Sequence, residues 1–192
     1  MRYFFVAIIF LLLPQLRGVC QAVKVKQSRF FNITEIGYGN GIGKINFEKI
    51  GYKIENESHF VRVRTEFGYF ITKKLSLGLG FGLDGYHDYT FNTAPLFVDT
   101  RFYFKTQPQT FFVFSNIGYA IPLAGNFEKG FIGGVSFGRK ISMRRVILLP
   151  SIGINLQRLN DIGYYSFGQN QAGSYSDNIT NTSLQFNLGL LF

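Results

Sequence analysis

Leu184-Gln185-Phe186-Asn187-Leu188-Gly189-Leu190-Leu191-Phe192 closes the 192-residue sequence and alternates large apolar residues with small or polar ones. Leu184, Phe186, Leu188, Leu190 and Phe192 fall on one face, Gln185, Asn187 and Gly189 on the other, and only Leu191 breaks the pattern. A period of two marks a strand with one apolar and one wet face. At the edge of a soluble sheet such a strand would recruit other chains. In a closed barrel it has no free edge, and in a membrane its apolar face meets lipid. The stretch is therefore expected to be the closing strand of a barrel.

The same period recurs upstream over 30–39, 59–71, 75–84, 96–104, 111–121, 130–140 and 145–157, segments of the length that membrane strands need. In 75–84, Leu75, Leu77, Leu79, Phe81 and Leu83 share one face while Ser76, Gly78, Gly80, Gly82 and Asp84 share the other. The inner glycines leave room for bulky neighbours in a narrow barrel. They alternate with leucines inside a strand and open no helix, so they are not a phosphate loop. The first segment has mixed alternation, and Pro150 is expected to mark a bulge in the seventh. Longer and shorter connections alternate, as in outer-membrane barrels. The expected fold is all-β, an eight-stranded antiparallel up-and-down transmembrane β-barrel with both termini on the periplasmic side. A soluble eight-stranded barrel would need polar outer faces, whereas here continuous Leu and Phe faces oppose small or charged ones.

The leader has its own pattern. Arg2 precedes an apolar run from Phe4 to Leu13, Pro14 breaks it, and Cys20-Gln21-Ala22 supplies small residues for cleavage. This reads as a signal peptide over 1–22, ahead of a barrel domain over 23–192. The run is too short for a spanning helix. Cys20 is the only cysteine; lipidation there would require a different preceding motif than Arg17-Gly18-Val19. Aromatics make up 18% of the chain, with 23 Phe, 11 Tyr and no Trp, and together with 22 Gly they favour sheet over helix. The net charge of +9 is scattered among turns and strand interiors, with no basic stripe, which argues against nucleic-acid binding.

At Ala94-Pro95-Leu96-Phe97-Val98-Asp99-Thr100-Arg101-Phe102-Tyr103-Phe104, followed by Asn116-Ile117-Gly118-Tyr119, the chain resembles the small outer-membrane β-barrel proteins of Bacteroidetes bacteria. Its terminus also resembles the assembly signal of outer-membrane proteins: Gln185, Leu190 and Phe192 match it, and Asn187 stands where glycine is usual. The resemblance implies a fold, an outer-membrane location and recognition by the barrel-assembly machinery. It implies no activity.

Parity places Glu35, Arg62, Arg64, Glu66, Asp84, Asp99 and Arg101 inside the barrel. Unpaired charges in so narrow a space are costly, so these residues are expected to form a cross-strand ion-pair network that fills the lumen. Catalytic candidates are few. His59, beside Ser58 and Glu57, and His87, beside Asp88, are the only histidines, and neighbours along a strand point to opposite faces. No metal-ligand spacing and no cofactor motif is present. The four sequons at Asn32, Asn56, Asn178 and Asn181 read as coincidence in a bacterial barrel. The stretch 158–181, rich in Gly, Ser, Asn, Gln and Tyr, is expected to be the last outer loop, either a recognition surface or a loop without a partner. The expected protein is a monomer in outer-membrane lipid, not an enzyme, with a structural or surface-interaction role; a lipid-modifying enzyme and a small channel are the competing readings.

Overall fold

A computed structural model describes residues 29–49, 51–87, 92–123, 129–143, 146–168 and 171–192, except for the side chains of 129, 161–168 and 171–176. The leader expected over 1–22, with Cys20, and the loop residue Asp88 lie outside the described residues. Among the described residues ten strands follow one another: β1 (Phe30–Gly41), β2 (Lys44–Phe47), β3 (Lys53–Glu55), β4 (His59–Phe70), β5 (Leu75–Tyr86), β6 (Thr93–Tyr103), β7 (Thr110–Pro122), β8 (Lys129–Ser142), β9 (Ile147–Gly168) and β10 (Gln171–Leu191). β1 and β4 to β10 pair antiparallel in order, and β10 returns to β1, giving a closed eight-stranded barrel. The closing ladder runs from Ile33 opposite Leu191 to Gly41 opposite Ser183. Beyond it, Asn32 and Phe192 exchange two backbone hydrogen bonds, 2.9 and 3.3 Å.

The barrel has a short-turn end, where Phe192 lies, and a long-loop end. At the long-loop end the sequence reading needs correction, because 158–181 is strand over most of its length. β9 and β10 continue pairing outward to Gly168 opposite Gln171, with one register shift between Asp177 and Ile179. The sequence of this hairpin mixes Leu159, Ile162, Tyr164, Tyr165 and Phe167 with polar residues in no clean alternation, which hid it. The small strands β2 and β3 also went unread. β2 takes up the edge of β10 where β1 leaves it, with Phe47 opposite Ile179 and Asn46 opposite Thr180. Ile45, Leu159 and Ile179 are buried beneath this added sheet. The glycines at its turns, Gly43 (φ 71°) and Gly51 (φ 65°), occupy the left-handed region that glycine enters at least cost.

Pro150 does not mark a bulge. The pairing of β9 with β8 keeps one register from Asn160 to Ile147 and lapses only beside the proline, which has no N–H to donate. Pro95 has the same effect between β5 and β6, where pairing stops after Phe81 opposite Leu96 and resumes at Asp84 opposite Thr93.

The outer surface is apolar. Val61, Val63, Phe67, Leu77, Leu79, Leu83, Leu96, Ile117, Ile154 and Leu188 are all exposed. Tyr69, Phe104, Phe111 and Phe192 lie outward toward the short-turn end, and Tyr38, Tyr119 and Phe131 toward the other. The mixed alternation of β1 has a local cause. Its outward Asn32 and Thr34 meet Thr65 of β4, with Asn32 Nδ2 donating to Thr65 Oγ1 at 3.1 Å and to the Glu66 carbonyl at 3.0 Å. These polar groups satisfy one another on an apolar wall.

Inside, aromatic rings lie over their cross-strand glycine partners. Phe60 sits opposite Gly39 and Phe31 opposite Gly68, while Phe97 faces Gly80 and Phe112 faces Gly138. At each of these glycines a Cβ would collide with the facing ring. The absent side chain is thus the space the ring fills, a device that also pins register. Gly80→Ala is expected to cost about 1–3 kcal/mol through overpacking against Phe97. Gly78→Ala, whose methyl would meet the Phe67 carbonyl at 3.4 Å and the Gly68 Cα at 3.7 Å, should stay within about 0.5 kcal/mol. Urea unfolding of both variants in detergent micelles, followed by far-UV circular dichroism, checks the contrast.

Candidate functional site

The lumen is built in layers. At the short-turn end Phe31, Ile33, Phe70, Tyr103, Phe112, Phe114, Leu149 and Leu191 form an apolar floor. Leu191, the one break in the terminal alternation, points inward into this floor while Leu190 and Phe192 lie on the outer face. Lys140 is buried beside the floor, its Nζ 5.5 Å from the Tyr103 ring centre.

Above the floor come the seven charged residues assigned to the interior, all buried. Arg62 of β4 is directly opposite Asp84 of β5, and its Nη2 meets Asp84 Oδ2 at 2.8 Å. Arg64, one pleat along the same face, reaches the same oxygen at 2.8 Å. Arg101 of β6 reaches past β5 to Glu66 of β4 at 3.2 Å, and its Nε lies 3.6 Å from Asp99 Oδ1. That reach depends on the sequence of the intervening strand. Glu66 faces Gly80 and Asp99 faces Gly78, so β5 places no side chain between them. Glu35 of β1 lines the same space and forms no ion pair among the described residues.

Rings bracket the guanidiniums. Arg62 lies 4.5 Å from the Phe60 ring centre and Arg64 lies 5.0 Å from that of Phe97. Arg101 lies 5.2 and 4.7 Å from Phe112 and Phe114. Each such contact contributes about 0.5–2 kcal/mol, whereas breaking a buried ion pair costs about 3–5 kcal/mol.

Sequence reasoning missed the neutral partners. Gln185 of β10 accepts a hydrogen bond from Arg62 Nη1 and donates to Ser136 Oγ at 3.0 Å. Asn155 of β9 accepts from both terminal nitrogens of Arg62, at 3.5 and 3.4 Å. The Tyr86 hydroxyl donates to Gln157, and the Tyr86 ring lies 4.9 Å from that of Phe60. Inward parity alone marked these positions; the contacts across the barrel depend on strand stagger. A cavity of about 10 Å³ in the lumen is lined by residues that include Glu35, Arg64, Glu66, Asp99, Arg101 and Asn116. That is room for about one water.

The catalytic candidates separate. Ser58 is fully buried inside, its hydroxyl donating to Asn56 Oδ1 at 2.6 Å and accepting from Asn181 Nδ2 at 3.0 Å. His59 takes the opposite, outward face and lies beside His87, with ring centres 4.9 Å apart. The assembly-signal residues also divide, since Gln185 belongs to the lumen network while Leu190 and Phe192 face outward.

A closed barrel that is apolar outside and charged within inverts the arrangement of a soluble protein and has the architecture of the small membrane β-barrels. Three solved structures of that kind are similar to this chain. Neisserial surface protein A has 12% sequence identity and a TM-score of 0.49, covering 83% of this chain and 96% of its own. The N-terminal β-barrel domain of Pseudomonas aeruginosa OprF has 13% identity and a TM-score of 0.48, covering 86% and 98%. The outer membrane protein OprG from Pseudomonas aeruginosa has 8% identity and a TM-score of 0.49, covering 86% and 97%. No family model and no curated protein matches the chain.

Of the seven charged residues above the floor four are carboxylates and three guanidiniums, and Lys140 adds a further buried cation beside the floor. Asp84→Asn leaves Arg62 and Arg64 buried without their shared counter-charge and is expected to cost about 3 kcal/mol or more. Glu35→Gln removes the carboxylate that holds no ion pair among the described residues, so its cost should remain below about 1 kcal/mol. Urea midpoints of the two variants in micelles measure the difference; equal losses would contradict the pairing described.

Proposed function

We propose that the protein, after loss of residues 1–22, resides in the bacterial outer membrane as a monomeric barrel with a plugged lumen, and acts there as a structural or surface-interaction protein. The observation that carries this reading is the blocked interior. An apolar floor, two arginine–carboxylate clusters and the Phe60–Tyr86 layer succeed one another along the axis, and the cavity among the charges has room for about one water. In this reading outer-membrane lipid covers the Leu and Phe surface, both termini face the periplasm, and the barrel-assembly machinery reads Gln185, Leu190 and Phe192. The ordered β9–β10 hairpin with β2 and β3 would present 158–181 to a surface ligand. The motif from Ala94 to Phe104 is what supports a place among the Bacteroidetes barrels.

The two competing readings lose ground on separate observations. A channel needs a continuous wet path, and the ion pairs span the middle of the lumen. A Ser–His hydrolase needs both groups on one side of the wall, and Ser58 and His59 are on opposite sides.

Two outcomes follow. Purified protein in a planar bilayer should show no stable conductance, and Arg101→Ala should introduce intermittent openings while leaving insertion intact; steady conduction by the unaltered protein would promote the channel reading. Deletion of Phe192 removes the Asn32–Phe192 hydrogen bonds along with the terminal aromatic. It should lower the amount recovered in the outer-membrane fraction without blocking secretion, as read by fractionation and immunoblot.

A further inference from the structure

Cations gather at the short-turn end. Lys73 and Lys74 lie in the turn between β4 and β5, Lys105 lies in the turn between β6 and β7, Arg29 precedes β1 and Arg139 stands near the end of β8. Arg29 and the three lysines are exposed, and Arg139 is half-buried. The described residues of these turns and of the strand ends beside them include no Asp or Glu. The nearest carboxylates along β4 and β6, Glu66 and Asp99, are buried in the lumen. The sequence bordering this end outside the described residues supplies none either: no Asp or Glu occurs before Glu35, and 144–145 is Arg144-Arg145. The long-loop end differs, since there Lys44 pairs with Glu55 at 3.2 Å and Arg158 with Glu48 at 2.6 Å.

Two of the short-turn cations sit on the outer wall against aromatic rings. Arg139 is directly opposite Phe111 in the ladder, its guanidinium carbon 5.6 Å from that ring centre. Phe111 stacks on Phe137 at 5.4 Å, and Phe104, one residue before Lys105, lies 6.4 Å from Phe137. All three rings are exposed. Arg29 Nη1 donates to the Tyr69 hydroxyl at 3.0 Å, beside the exposed Phe30.

We propose that this cationic rim, centred on Arg139 and Lys105 beside the Phe104–Phe111–Phe137 patch, binds the headgroups of anionic phospholipids in the leaflet on the short-turn side; this rests on the membrane placement proposed above. The two halves of the surface define the occupant. A ligand that lies along the rings and reaches the guanidinium must be apolar over its length and anionic at its head, as a charged lipid is and a free anion is not. Arginine presents five donors in a planar fork that matches phosphate oxygens, and Gln109 takes up only one, at 3.5 Å. Cationic side chains at the wall lay their stems on apolar surface and carry the charge to headgroup level. Along the sequence these charges are dispersed; the up-and-down topology gathers alternate turns at one end.

The test reconstitutes the protein in phosphatidylcholine nanodiscs that contain a trace of either phosphatidylglycerol or phosphatidylcholine spin-labelled on the acyl chain. Electron paramagnetic resonance measures the fraction of label slowed at the protein surface. Phosphatidylglycerol should associate at least about threefold more strongly than phosphatidylcholine at low salt, since each basic residue at a bilayer surface adds attraction for anionic lipid. The preference should shrink at about 1 M salt, where the screening length is about 3 Å. Arg139→Gln with Lys105→Gln should at least halve it, whereas Lys44→Gln, at the opposite end, should leave it unchanged. Equal slowing of the two lipids by the unaltered protein, or a preference that the folded double variant retains in full, would overturn the inference alone. Failure of the protein to insert into either disc would overturn the membrane placement with it.

Discussion

The ladder between β1 and β10 is the interaction on which the rest of the structure depends. In hydrocarbon a backbone N–H or C=O has no water to turn to, so a sheet with an open edge is untenable there. Pairing from Ile33 with Leu191 to Gly41 with Ser183 removes that edge along the whole wall. It also fixes the facing of the two strands it joins, because a slip by one position would turn Glu35 or Gln185 toward the outside and Ile36 or Leu188 toward the lumen.

Closure then dictates the interior. Eight strands leave a core only wide enough for side chains, so each inward position must find a partner or a void. Two solutions alternate along the axis. Where the facing strand carries glycine, a Phe ring lies over it; where it carries a carboxylate, a guanidinium meets it. The Arg62–Asp84–Arg64 arrangement does both, since Arg64 also lies opposite Gly82 and Arg62 opposite Gly37. Buried ion pairs of this kind are weak sources of net stability, because desolvation offsets much of the attraction. Their consequence is intolerance of rearrangement: any other stagger of the strands leaves a charge unpaired where water has little room.

Parity made the barrel legible, and it also placed the charged side chains. From Val61 to Glu66 or Leu75 to Asp84 the alternation reports a wall between two unlike media. The same logic failed where the media are alike. Residues 158–181 show no clean apolar–polar alternation and read as a loop, although most of their backbone pairs as strand. Parity says which residues point inward but not which of them lie at one height, so the apolar floor around Phe112 and Leu191 was not anticipated. Partners across the lumen, such as Gln185 for Arg62 or Gln157 for Tyr86, depend on tilt and stagger that no single strand records. Proline had a milder effect than its reputation suggests: at Pro95 and Pro150 a hydrogen bond is lost while register continues.

The added strands at the long-loop end bear on how crowded copies coexist. Beyond Ser183, β10 would present a long unpaired backbone rim to water, an invitation to fuse with a neighbour. β2 covers the start of that rim and β3 covers β2. Along that start the outer side belongs to β3, with charged Lys53 and Glu55 flanking Ile54. A template so short and so charged nucleates poorly. That stretch of the rim is therefore a poor docking edge for the same strand of a neighbouring barrel.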